Sequence, residues 1–332
     1  MSPLSAARLL RFLAVRSGFF PPRGVLRRPR SVVPPGRLPR VRTRRRDVGG
    51  RASVAGACLI VFAGLAQAGP DAATPGEGWR WRLRGSLGGA YLGYEERFAP
   101  LDSESDYDSG SLAVRVAAEA WFGSFVPRLE AASLSSWGTE EARAPGRRQE
   151  DALFVGTALL DAGLGYRIEL SSAFWALPSL AYTFHYLGFE RSDFRINGAS
   201  VTVLDLDGRP HDSVGEEIFA HGVSPGLALE FALAPGWDGR LYGAYTFFPE
   251  VSVDNDIGGR LSSRGALARA GASVGLRLGD WLSVEGRVEV GYQRLENSRT
   301  AVRTGLANSA SVVFPDSVTV WVLVGGGIEL RF

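Results

Sequence analysis

The chain has 332 residues, 45 % of them hydrophobic, with 37 Arg, no Lys and 35 acidic residues. That length suits one large β domain or two ordinary ones. Residues 1–51 hold 14 Arg and a single acid, Asp47, leaving 23 Arg against 34 acids beyond them. The remainder is therefore acidic, which excludes a nucleic-acid-binding domain, because that function needs a basic face on the folded part.

Residues 1–41 are rich in Arg and Pro and show no apolar period. They read as a disordered extension, such as a mis-called start codon would add. Residues 42–68 read as a signal peptide. Arg42, Arg44, Arg45 and Arg46 precede the apolar run Ala52–Ala66, and Ala66-Gln67-Ala68 supplies a small-x-small cleavage site. The run is shorter than the roughly 20 residues that a spanning helix needs. Cys58 is the only cysteine and lies within it. Residues before Cys58 lack the usual lipidation pattern, so a mature chain starting near Gly69 has neither disulfide nor thiolate metal site.

Residues 69–332 contain no apolar stretch of spanning-helix length. Ten alternating segments recur instead: Trp79–Gly93, Ser111–Phe122, Val126–Trp137, Ala152–Leu170, Trp175–Phe189, Ile218–Leu233, Arg240–Val253, Gly265–Leu278, Trp281–Gln293 and Ser317–Phe332. A period of two is a strand period. Every second connection is short, and the others (Tyr94–Gly110, Gly138–Asp151, Glu190–Glu217, Asp254–Arg264, Arg294–Asp316) are long and polar. An even strand number with that asymmetry predicts a transmembrane antiparallel up-and-down β-barrel with periplasmic termini and long extracellular loops.

The two faces differ in chemistry. Leu282, Val284, Val288 and Val290 oppose Glu285, Arg287 and Glu289, while Leu112 and Val114 oppose Arg115 and Glu119. Arg at the bilayer midplane costs about 2–4 kcal/mol, so the charges are expected in the lumen, paired and filling it. Trp79, Trp81, Trp121, Trp137, Trp175, Trp281, Tyr292 and Trp321 are expected in interface girdles. The last strand alternates through Val318, Val320, Val322, Val324 and Ile328 to Phe332, the pattern that outer-membrane assembly machinery reads.

Candidate chemistry is sparse. Asp102-Ser103-Glu104-Ser105-Asp106-Tyr107-Asp108 lacks the Gly and bidentate Glu of an EF-hand loop and reads as a solvated acidic surface. His185 is expected on the lumen face, and His211 and His221 are read as structural or solvated. No metal ligand spacing or cofactor fingerprint is visible.

Asp254-Asn255-Asp256, just past the seventh segment, is the sharpest candidate. Here the chain resembles the omptins, ten-stranded outer-membrane proteases, in strand number, mature length and the stretch from Gly215-Glu216-Glu217 to Asp256. In that family an Asp-x-His pair faces an Asp pair, and together they activate a water. Asp256 matches the Asp, Gly258 stands at the His position, and the opposite loop offers only Thr139-Glu140-Glu141. The resemblance implies the scaffold; His normally supplies the general base. The expected function is an outer-membrane barrel without proteolysis, a monomer meeting lipopolysaccharide, outer-membrane lipids, ligands or partners through its loops. One alternative is an endopeptidase with a rearranged site built from Asp254, Asp256 and His211; another is a small porin.

Overall fold

The computed structural model describes residues 80–98, 102–204, 209–257, 259–302 and 310–332, with backbone alone at 98, 298–302 and 310–314. The expected extension (1–41), signal peptide (42–68) and Trp79 lie outside the described residues. In chain order the strands begin with β1 (Arg80–Phe98), β2 (Ser103–Trp121), β3 (Phe125–Ala144) and β4 (Arg147–Tyr166). The short β5 (Ile168–Ser171) precedes β6 (Phe174–Ile196), and β7 (Ala199–Ser200), β8 (Val203–Leu204) and β9 (Pro210–His211) follow. Then come β10 (Ser213–Ala234), β11 (Trp237–Asn255), β12 (Gly259–Arg277) and β13 (Leu282–Leu295). The ribbon β14 (Ser298–Val302) and β15 (Ala310–Phe314) leads to β16 (Asp316–Arg331).

Ten of these, β1, β2, β3, β4, β6, β10, β11, β12, β13 and β16, pair antiparallel in sequence order. The barrel closes where β16 meets β1, with Leu83 opposite Leu330 and Tyr91 opposite Val322. Closure removes every open edge, which a lipid-exposed sheet requires. Phe332 exchanges backbone hydrogen bonds with Trp81 at 3.0 and 3.1 Å, locking the seam.

One end of the barrel, the turn end, carries the connections 122–124, 172–173, 235–236 and 278–281. At the other end, the rim, the structure corrects the expected loops. Most of Tyr94–Gly110, Gly138–Asp151 and Asp254–Arg264 is strand, joined by residues 99–102, 145–146 and 256–258. Only 197–212 and 296–315 are long excursions, and each carries short ribbons.

The physical reason is that the faces exchange polarity partway up the barrel. Along β12, Arg269 and Ser273 point inward and Val274 outward near the turn end; near the rim Leu261 and Leu267 are inward while Arg260, Ser262 and Arg264 are exposed. Along β1, outward Leu87 and Tyr91 give way to Glu95 and Arg97, and inward Arg82 and Arg84 to Leu92 and Tyr94. The lower barrel is thus apolar outside and ionic inside, as lipid demands. The upper barrel has the ordinary water-facing arrangement, with an apolar core of Leu92, Leu187, Phe248, Leu267 and Trp321 inside the cylinder.

The outward placement that a girdle needs is met by Trp137, 68 % exposed, and by Trp281 and Trp81. It fails for three tryptophans. Trp321 is only 8 % exposed and belongs to the inner core. Trp121 and Trp175 lie beneath the guanidinium groups of Arg82 and Arg167, each 4.6 Å from the ring centre. Parity explains all three, because each shares its strand face with lumen residues: Trp321 with Thr319 and Glu329, Trp121 with Glu119, and Trp175 with Leu177.

Candidate functional site

The upper edge of the apolar belt is marked by outward aromatic pairs, Trp137 with Phe154 (ring centres 4.9 Å apart) and Tyr186 with Phe219 (5.3 Å). Above this edge, inside the rim, four strands each contribute a carboxylate: Glu96 from β1, Glu140 from β3, Asp151 from β4 and Glu216 from β10. All four are between 2 and 6 % exposed. Arg191 of β6 stands among them. It donates through Nε and Nη2 to Glu140, with the second contact at 3.3 Å, and lies 3.8 Å from Glu96.

Each carboxylate is tied to its neighbours. Tyr94 donates its hydroxyl to Glu96, and Ser105 donates to Glu140. Gln149 donates to Asp151 Oδ2 at 3.0 Å, and Asn255 donates to Glu216 Oε2 at 2.8 Å. The Tyr94 ring packs on Phe189, 4.4 Å between centres, and seals the cluster from the core below. Asp151 Oδ1 and Glu216 Oε1 are buried and meet no donor among the described residues.

One guanidinium cannot neutralise four buried carboxylates, so the group retains protons. Burial, opposed by Arg191 and reinforced by Glu216 and Glu140, pushes Glu96 up to about 8. Burial first, then the negative charge of Glu140, raises Asp151 to about 7. Glu216 is raised as well, burial outweighing Arg191 and Asn255. Asp151 stands directly opposite Glu140 across the β3–β4 pair. Two carboxyl groups in contact can share one proton. The cluster can hold protons at carboxylates that are almost wholly buried.

Of the residues singled out from sequence, the structure brings the central Asn255 of Asp254-Asn255-Asp256 into this cluster. A β-bulge in β11 around Pro249 resets the strand parity, so Asp254 faces outward and Asn255 inward. Gly222 opposite must lack a side chain, since a Cβ there would sit 1.9 Å from the Phe247 carbonyl oxygen. The Asp256 carboxylate accepts from the Gly215 backbone N–H at 2.9 Å, while Asp256 N–H donates to the Gly215 carbonyl at 3.0 Å. His211 lies on the separate β8–β9 ribbon. His185 faces the lumen as expected, its Nδ1 3.0 Å from Gln293 Nε2, and His221 is exposed on the outer face.

Glu104, Asp106 and Asp108 alternate along the outer face of β2, the placement expected of a solvated acidic surface. Among the described residues no cluster of three or more His, Cys, Asp or Glu could hold a metal ion. Sequence reading quoted Glu140 and Glu216 but missed Glu96, Asp151 and Arg191. The usable signal was parity: each sits at an even offset from an inward residue of its own strand.

No protein-family model and no curated protein matches the sequence. Among solved structures, the barrel matches the outer membrane protease OmpT from Escherichia coli with a TM-score of 0.57 at 12 % identity, covering 78 % of this chain and 100 % of that one. The outer membrane protein OprG from Pseudomonas aeruginosa aligns with a TM-score of 0.34 at 10 % identity, covering 77 % and 97 %. The chain is a closed antiparallel β-barrel of the outer-membrane class. Within that class its ten-stranded layout is omptin-like.

Proposed function

We propose that this protein is a monomeric, non-proteolytic outer-membrane barrel whose rim faces outward from the cell and meets lipopolysaccharide, ligands or partner surfaces. The turn end and both ends of the described chain then face the periplasm, the usual polarity of such barrels. The observation that carries the reading is the state of the acids. Asp256 is committed to the Gly215 backbone, Asp254 faces away, and the carboxylates that do converge are enclosed around Arg191. Water activation needs an open base within reach of a substrate.

Arg260, Arg264 and Arg294 are exposed on the outer face just above the apolar belt, the height at which anionic headgroups lie. That supports contact with the phosphates of lipopolysaccharide. Hydrolysis by Asp256 with His211 would require Asp256 to release Gly215. A porin does not fit, because Leu92, Phe248 and Leu267 are fully buried across the lumen.

Incubating the purified, lipopolysaccharide-reconstituted protein with a mixed peptide library tests the proposal. No cleavage is expected. Robust cleavage that Asp256→Ala abolishes would overturn it.

A further inference from the structure

On the outer face of the barrel an open apolar groove of about 650 Å³ crosses β16, β1, β2 and β3. Its floor includes Gly89 and Gly110, and a Cβ built on either glycine meets nothing within 4 Å. Tyr91, Leu112, Val324 and Trp137 form its walls, each at least half exposed. Gly110 stands opposite Tyr91 in the β1–β2 register. The Tyr91 ring leans over Gly93, and Trp137 leans the other way onto Phe154, so Gly110 is left uncovered between them. Directly rimward on the same face of β2 is Asp108, exposed and without an ion pair among the described residues. Glu95 and Asp106, opposite one another, lie one step higher and carry the same sign. The cations of this sector, Arg97 and Arg143, lie a step higher again, and Arg294 is separated from it by β16.

Hydrocarbon fills any apolar groove in the lipid belt, and the charge at the mouth decides which lipid supplies it. Asp108 sits just above the aromatic edge, where headgroups lie. A carboxylate there repels a lipid phosphate and attracts an ammonium, the reverse of the preference set by Arg260 and Arg264 on β12. A primary ammonium also brings three N–H donors that a carboxylate and a phenol oxygen can accept, which a quaternary ammonium lacks. We propose that this groove seats a phospholipid with a primary-amine headgroup. Its ammonium rests on Asp108 beside the Tyr91 hydroxyl, and one acyl chain runs down over Gly110 and Gly89. The inference rests on the outer-membrane class of the barrel and holds whether or not the rim cleaves peptides.

The test places the processed protein in nanodiscs of equal parts phosphatidylethanolamine, phosphatidylcholine and phosphatidylglycerol with identical chains, and native mass spectrometry reads which lipid stays bound. Phosphatidylethanolamine should be retained over phosphatidylglycerol by about fivefold, the effect of one charge at a headgroup. Asp108→Asn should remove that preference. Gly110→Leu and Gly89→Leu project into empty space, so they should fold normally and lower the retention of every lipid. A second readout uses the absence of Lys from the chain. A water-soluble carbodiimide can then join a side-chain carboxylate only to a lipid amine or the amino terminus, forming an amide as the carbodiimide takes up the lost water and becomes a urea. Peptide mapping should place the lipid adduct on Asp108, well above Asp254, which faces Arg260 on the far side of the barrel. Equal retention of the three lipids, undiminished retention in the filled-groove variants, or a phosphatidylglycerol preference that appears with Mg²⁺ (a metal-bridged phosphate) would overturn the proposal.

Discussion

Asn255 donates its side-chain amide to Glu216 across the β10–β11 pair at 2.8 Å, and so places an amide beside four buried acids. Asp254 and Asp256 on either side of it are turned to solvent and to the Gly215 backbone. Asp256 is thus a clasp. Asp256→Ala should cost about 1–2 kcal/mol, the price of one charge-assisted hydrogen bond. Urea titration should show that loss, with peptide cleavage absent before and after the change.

The acid cluster predicts a pH dependence of definite sign. Glu96 and Asp151 are raised from 4.5 and 3.8 to about 8 and about 7. A raised carboxyl favours the folded state in its protonated form, so the contribution is complete below the ordinary carboxylate range and lost as pH climbs through 7 to 8. The unfolding midpoint should fall between pH 5 and pH 9. Glu96→Gln, which carries no titrating proton, should flatten that slope; an unchanged slope would remove Glu96 from the account.

Arg191 is the only guanidinium bonded within the cluster among the described residues. Arg191→Met leaves the acids without their cation and should cost about 3–5 kcal/mol, the usual result of breaking a buried pair from one side. The double variant Arg191→Met with Glu140→Gln should recover part of the loss in the same unfolding assay.

The exchange of faces seen along β1 and β12 makes the two heights respond oppositely. Val288→Arg on the outer face of the lower barrel should cost about 2–4 kcal/mol in lipid. Arg264→Leu on the outer face of the upper barrel should shift stability by less than about 1 kcal/mol, because it loses only a surface ion pair with Glu296.

Gly291 sits beneath Trp321, where an added Cβ would lie 2.0 Å from the indole ring. Gly291→Val should destabilise by about 1–3 kcal/mol through overpacking. Adding Trp321→Ala should restore room and return part of the stability, which would not follow if residue 291 were merely intolerant of a side chain in a strand.

The lower barrel was legible because lipid imposes one rule on it: apolar positions alternate with Arg115, Arg269, Glu285 and Glu289, and period-two counting finds them. The rim was not legible in the same way. There Leu261 and Leu267 turn inward while Arg260 and Arg264 turn outward, so the expected pattern inverts and strand reads as polar loop. The bulge at Pro249 then shifts parity by one residue, so that Asn255 rather than its neighbours Asp254 and Asp256 faces the acid cluster. The acid cluster depends on register between four strands distant in sequence, information that local alternation does not carry.

The central claim is that hydrocarbon surrounds the lower barrel while the upper core is enclosed by protein. Single-tryptophan variants retaining Trp137, Trp281 or Trp321, reconstituted in vesicles of brominated phospholipid, test it most directly. Strong quenching of Trp137 and Trp281 with little quenching of Trp321 is the predicted result. Equal quenching at all three sites, or recovery of the folded protein from water without any lipid or detergent, would contradict it.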